Sequence, residues 1–141
     1  KARLRAIKLD ARMSIGFGSK THNAAKISES NGTAFIHSGE LFGTLKKQKV
    51  TLALRTADID FNEKLNLMLQ LALTFMDNWL AQSAEFTAIA IENPTLSQDE
   101  IGQKLGINQA AVSRRQKRAQ FDLVMTLDRY FRTQIKQLTA P

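Results

Sequence analysis

Leu9, Ala11, Met13, Ile15 and Phe17 alternate with Asp10, Arg12, Ser14, Gly16 and Gly18. A period of two predicts a strand with one buried face. The two glycines on the opposite face predict close approach of a packing element, a helix, to the backbone. Ser19 to Asn23 reads as a loop, and Ala24 to Ser30 as a short helix that Asn31-Gly32 breaks. Ala34, Phe35, Ser38, Leu41, Phe42 and Leu45 then share one face of a second helix, with Lys46 and Lys47 suiting its C-terminal end. Val50, Leu52 and Leu54 alternate with Thr51, Ala53 and Arg55 as a further strand. Strand, helices, strand is a crossover unit whose strands, if adjacent, run parallel. Two strands do not make a stable sheet alone, so the rest is expected from upstream chain or from a partner.

Asp60 and Glu63 have the spacing of a capping box and predict the start of a long helix reaching about Leu80. Phe61, Leu65, Met68, Ala72, Phe75 and Trp79 form its stripe, while Leu67, Leu71 and Leu73 lie off it. A helix so apolar around its circumference must be covered on more than one side, by the neighbouring domain or in a dimer. Gln82 to Glu92 reads as the next helix, with Phe86, Ile89 and Ala90 inward and Asn93-Pro94 ending it.

The densest pattern follows. Ser97-Gln98-Asp99-Glu100 is a capping box. Ile101 and Leu105 make the inner face of a short helix, Gly102 is small where a second helix crosses, and Gly106 permits a left-handed turn. Ile107 plugs the turn, Asn108 caps the second helix and Val112 faces inward. This is the pattern of a helix-turn-helix, in which the start of the second helix enters the major groove. The residues it would present are Gln109, Ala110, Ser113, Arg114 and Lys117. Arg114 suits guanine and Gln109 adenine, and Ala110 or Ser113 can meet a thymine methyl or a base edge. Arg118, Lys104, Ser97 and Gln98 are placed for phosphates, and Asn108 completes the set at the cap. The inner face after Val112 should continue at Arg115 or Gln116, where an apolar residue is usual, so one of these is expected at the core's edge. Phe121, Val124, Leu127, Phe131, Ile135 and Leu138 define a closing helix, with Phe121 and Leu123 packing back onto the motif.

Composition narrows the class of partner. The 141 residues carry 20 Lys and Arg against 13 Asp and Glu, a net charge of +7, which favours a polyanion. Arg114, Arg115, Lys117 and Arg118 form one basic cluster without an acid among them. Lys1, Arg3, Arg5 and Lys8, and Lys46, Lys47 and Lys49, form two others that read as solvated surface. Cysteine is absent, which excludes disulfides and thiolate chemistry and suits a cytoplasmic setting. Leu65 to Phe75 is half the length of a membrane span and contains Asn66 and Gln70. No signal peptide is visible, and a chain beginning at Lys1 is expected to lack part of its N-terminal domain.

Enzymatic chemistry finds no support. Asp58, Asp60 and Glu63 are the nearest thing to a carboxylate cluster, and helix capping accounts for Asp60 and Glu63. His22 and His37 have no evident ligand partners and read as loop or surface residues. Gly16-Phe17-Gly18 lacks the spacing of a phosphate-binding loop. No catalytic residue, metal ligand or cofactor is assigned.

The run NWLAQSAEFTAIAIENPTLSQDEIGQKLGINQAAVSRRQKRA, preceded by ARMSIGFGS and ISESNGTAFIHSGELF, resembles the SatD-like family over most of the chain. The resemblance implies an N-terminal domain similar to the palm of nucleotidyl cyclases and a helix-turn-helix similar to those of sigma-like and LuxR-type bacterial regulators. It implies no known reaction. Gln116 stands where a Leu is usual, Asn31 where Asp is common, and the palm's acidic metal ligands would lie upstream of Lys1.

The expected fold is therefore α+β: a partial palm-like (ferredoxin-like) α/β domain over 1–58, a linking helix over 59–80 and an all-α helix-turn-helix domain over 81–141. The expected function is a cytoplasmic, homodimeric transcriptional regulator that binds double-stranded DNA through Gln109 to Arg118, with no membrane association. A small-molecule or nucleotide effector fits this reading. The alternatives are a nucleotide-binding or cyclase-like sensor and a helix-turn-helix scaffold without DNA.

Overall fold

A computed structural model describes residues 1–19 and 32–138. The elements are α1 (Ala2–Ala6), β1 (Met13–Gly16), α2 (Thr33–Gln48), β2 (Leu52–Arg55), α3 (Ile59–Met76), α4 (Ala81–Glu92), α5 (Gln98–Leu105), α6 (Gln109–Ala119) and α7 (Phe121–Leu138). The described residues are mixed and mostly helical, with one small two-stranded parallel sheet among them. The chain forms two compact units, residues 11–73 and residues 1–10 with 74–141. The division thus falls away from the expected boundaries at 58 and 80. The first ten residues group with the C-terminal helices, and most of α3 groups with the strands. The short helix expected at Ala24 to Ser30 and His22 lie outside the described residues.

In the α/β unit, β1 and β2 pair in parallel from Met13 opposite Leu52 to Gly16 opposite Arg55, as a crossover connection requires. β1 is shorter than the expected strand. Leu9 is 56% exposed, because its N–H turns back to the Leu4 carbonyl at 2.9 Å. The expected single buried face is also absent, since every residue of β1 is half-buried. The reason is α2, which covers the glycine face. A Cβ on Gly16 would lie 2.1 Å from the Ala34 carbonyl oxygen, and one on Gly18 2.2 Å from Thr33 Oγ1. Ser14 Oγ donates to the Ser38 carbonyl at 2.8 Å on that same face. His37 is not a loose surface residue: its Nδ1 lies 2.7 Å from the Phe17 carbonyl. A carbonyl only accepts, so Nδ1 carries the hydrogen. On α2 the predicted stripe is inward except for Phe42, which is 48% exposed, and only Leu45 is fully buried.

The outer edge of β2 is closed by side chains of α3. Asn66 accepts from Leu54 N–H at 2.8 Å and donates to the Leu54 carbonyl at 2.9 Å. One turn earlier, Asn62 accepts from Thr56 N–H at 2.8 Å and donates to the Thr56 carbonyl at 3.0 Å. Two carboxamides thereby stand where the next strand would hydrogen-bond, so a bare edge does not demand one here. α3 is capped by Asp58, whose carboxylate accepts from Phe61 N–H at 2.9 Å, and not by the Asp60–Glu63 box expected from spacing. The helix ends at Met76 rather than near Leu80. Leu65, Leu69, Ala72 and Leu73 are buried, whereas Leu67 and Leu71 are 59% and 62% exposed.

In the helical unit, α1 packs on α4. Ala2 and Ala6 join a core of Trp79, Ala84 and Ala119. The N-terminal basic cluster is therefore not all solvated surface. The Lys1 side chain is only 6% accessible and pairs with Asp10 at 2.8 Å and Asp77 at 2.5 Å. Arg3 pairs with Glu92, and Arg5 reaches the Trp79 carbonyl at 3.3 Å. α4 is buried on more of its circumference than Phe86, Ile89 and Ala90 predict, since Ser83, Ala84, Thr87 and Ala88 are inside as well. The polar cost is met locally, with Thr87 Oγ1 donating to the Ser83 carbonyl at 2.9 Å.

Candidate nucleic-acid interface

The α5–α6 pair is built from terminal chemistry. Ser97 Oγ accepts from Glu100 N–H at 3.3 Å, and the Glu100 carboxylate accepts from Ser97 N–H at 2.8 Å and from its hydroxyl at 2.7 Å. These bonds, the backbone one foremost, hold the Glu100 carboxyl below the usual carboxylate range. A lowered pKa means that their stabilisation is present above that range and is lost as pH falls through the lowered value. α5 stops at Gly106, whose φ of 65° is left-handed. Asn108 Oδ1 then accepts from Ala111 N–H at 2.9 Å and starts α6.

Packing fixes which side of α6 faces out. Val112 is fully buried beside Phe86, Ala90 and Ile101, with Leu105, Ile107 and Phe121 against them. Gly102 has to be glycine, because a Cβ there would lie 2.7 Å from the Ile107 carbonyl oxygen and 3.4 Å from Val112 Cγ2. Phe121 meets Phe86 edge to face, centroids 5.3 Å apart. Leu123, expected to pack back with it, is 55% exposed. The other end of α6 is held by Trp79, whose indole N–H donates to the buried Ala119 carbonyl at 2.9 Å. Gln120 then takes a left-handed φ of 52°, and α7 begins at the next residue.

Of the predicted contact residues, Asn108, Gln109, Ala110, Arg114, Lys117 and Arg118 are exposed, Ser113 is half-buried on the same helix, and Lys104 is exposed in the last turn of α5. Arg114, Lys117 and Arg118 have no ion pair among the described residues. Arg115 differs: it is drawn to Glu85 at 3.0 Å with its side chain 18% accessible. Both Arg115 and Gln116 lie at the core's edge, the first by this ion pair and the second by hydrogen bonds.

Those hydrogen bonds form a chain. Gln109 Nε2 donates to Gln98 Oε1 at 3.0 Å, Gln98 Nε2 to Gln116 Oε1 at 2.8 Å, and Gln116 Nε2 to Asp122 Oδ1 at 2.9 Å. Sequence placed Ser97 and Gln98 at phosphates, but both side chains are engaged within the protein, Ser97 in its cap and Gln98 between α6 residues. Glu85 and Asp122 belong to the site's support and were not among the predicted residues, and Gln116 was expected only as a residue at the core's edge. The signal that pointed to them is the polar pair at 115 and 116 where an apolar residue is usual.

Compared with known proteins, the chain matches no family model, no curated protein and no solved structure.

Proposed function

We propose that the chain is a DNA-binding transcriptional regulator of the cytoplasm, related to the SatD-like proteins and using α5 and α6 as a helix-turn-helix. The observation that carries this reading is the exposed face of α6. A helix capped at Asn108 and held down at Val112 and Ala119 turns Gln109, Ala110, Arg114, Lys117 and Arg118 outward, with no acid anywhere on it. Such a face suits the major groove, with unpaired cations for phosphate and a fork donor for base edges. The parallel pair β1 and β2, with α2 between them in sequence, is compatible with part of a palm-like domain. Exposed Leu67 and Leu71 on α3 support dimerisation through that helix, as two half-sites require. Sedimentation at rising concentration should show the dimer, and a monomer throughout would remove it.

The test begins with selection from a random duplex pool, followed by titrations at several salt concentrations. Affinity should fall steeply with salt, since each neutralised phosphate releases counterions. Arg114→Ala should cost about 1–3 kcal/mol on the selected site and flatten preference at one base position. Arg118→Ala, one turn on, should weaken selected and scrambled duplexes alike and reduce the salt slope by about one. Equal losses from both variants on both duplexes would reduce α6 to an electrostatic patch, and no binding at low salt would end the reading.

A further inference from the structure

The four-residue chain from Gln109 to Asp122 has a direction, and the direction is set at its far end. A carboxylate can only accept hydrogen bonds, whereas a carboxamide presents a donor on one side and an acceptor on the other. Asp122 therefore turns the Gln116 nitrogen toward itself, which turns the Gln116 oxygen toward Gln98. The Gln98 nitrogen must face that oxygen, which leaves the Gln98 oxygen facing Gln109. The Gln109 nitrogen is then drawn to Gln98, as the distances of 2.9, 2.8 and 3.0 Å along the chain record. Gln109 spends only one of its two N–H groups in this way. Its other N–H and its oxygen remain for a ligand, in one orientation and not its mirror. A donor beside an acceptor in fixed order matches the N7 acceptor and N6 donor of adenine in the major groove.

We propose that Asp122, at the start of α7, is a positioning residue that fixes the orientation in which Gln109 reads an adenine, acting through Gln98 and Gln116. The inference rests on the DNA-binding reading and adds to it one base and the residue that sets its discrimination. Docking strengthens the arrangement, because water that competes for exposed amides is displaced at the contact.

The experiment reverses the chain. Asp122→Lys puts an obligate donor where an obligate acceptor stood, so each amide is drawn into the opposite orientation. Gln116→Lys does the same one step closer while keeping an opposite charge beside Asp122. In selection from random duplexes, the wild-type protein should prefer adenine at one position that Gln109→Ala flattens. Both lysine variants should lose that preference by about two- to tenfold, the worth of one hydrogen bond broken to restore the productive orientation. Gln116→Glu added to Asp122→Lys supplies an acceptor next to Gln98 and should return the preference to within about twofold of wild type. A merely structural role would move melting temperature and overall affinity, and charge would move all sequences together. Neither predicts a ratio between bases lost with lysine and regained with glutamate. Duplex binding with an adenine preference unchanged in both lysine variants overturns the relay and leaves the DNA reading standing. Another base at the Gln109 position also overturns it. Absence of duplex binding by the wild-type protein overturns both.

Discussion

Asn66→Leu should destabilise the α/β unit by about 2–6 kcal/mol, read as a lower urea midpoint. The side chain satisfies both the N–H and the carbonyl of Leu54, a residue with no accessible surface. Leucine fits a helix and an apolar surrounding, so the loss is not one of shape or propensity. It is the desolvation cost of two orphaned backbone groups, about 1–3 kcal/mol each. Asn66→Asp separates the two halves, since it keeps an acceptor for Leu54 N–H but sets a negative oxygen against the Leu54 carbonyl. Gln70→Ala, exposed on the same helix, should stay within about 0.5 kcal/mol of wild type. If Asn66→Leu matches Gln70→Ala, the carboxamide closure of β2 contributes nothing to stability.

Trp79→Ala should cost about 3–5 kcal/mol, because the ring fills the core between α1, α4 and α6 and is 4% exposed. Trp79→Phe is the more telling variant. It keeps most of the apolar contact with Ala84 and Ala119 but cannot donate, which leaves the buried Ala119 carbonyl unpaired. That should cost about 1–3 kcal/mol. Thermal melts followed by circular dichroism serve both variants, since Trp79 is the sole tryptophan and fluorescence disappears with it. A phenylalanine variant as stable as wild type would show that the indole N–H does not anchor the end of α6.

The elements legible in the sequence are those whose signals are local. Ser97 with Glu100, Gly106 and Asn108 are caps and a turn, each acting within four residues, and the structure has all of them. The parallel crossover was legible because strand period and helix period are distinct and handedness leaves little choice. Features depending on distant partners were not. Ala2–Ala6 is too short to be helical alone, and it folds against α4, more than seventy residues away in sequence. Asn66 stood out only as a polar residue in an apolar run and Asn62 not at all, because the strand edge they serve lies on another element, β2 and the residues just after it. The cap of α3 was misplaced by two residues because Asp58 and Asp60 are chemically equivalent candidates, and only the path of the chain leaving β2 chooses between them. Within the candidate interface, the outward facing of Arg114, Lys117 and Arg118 was legible from an inward Val112, but the Gln109–Asp122 chain was not, since it joins α5, α6 and α7.

The grouping of residues 1–10 with 74–141 has a consequence for synthesis. α1 leaves the ribosome well before the helix it packs against exists, while the whole of residues 11–73 is still to come. Its apolar side, Ala2 and Ala6, and its buried cation, Lys1, wait without Trp79 and Asp77. The inserted segment can begin to fold in that interval, because its contacts lie within it. The helical unit closes only once residues 74 onward exist, so its two parts are joined across a long stretch of chain, and the entropy cost of such a closure grows slowly with length.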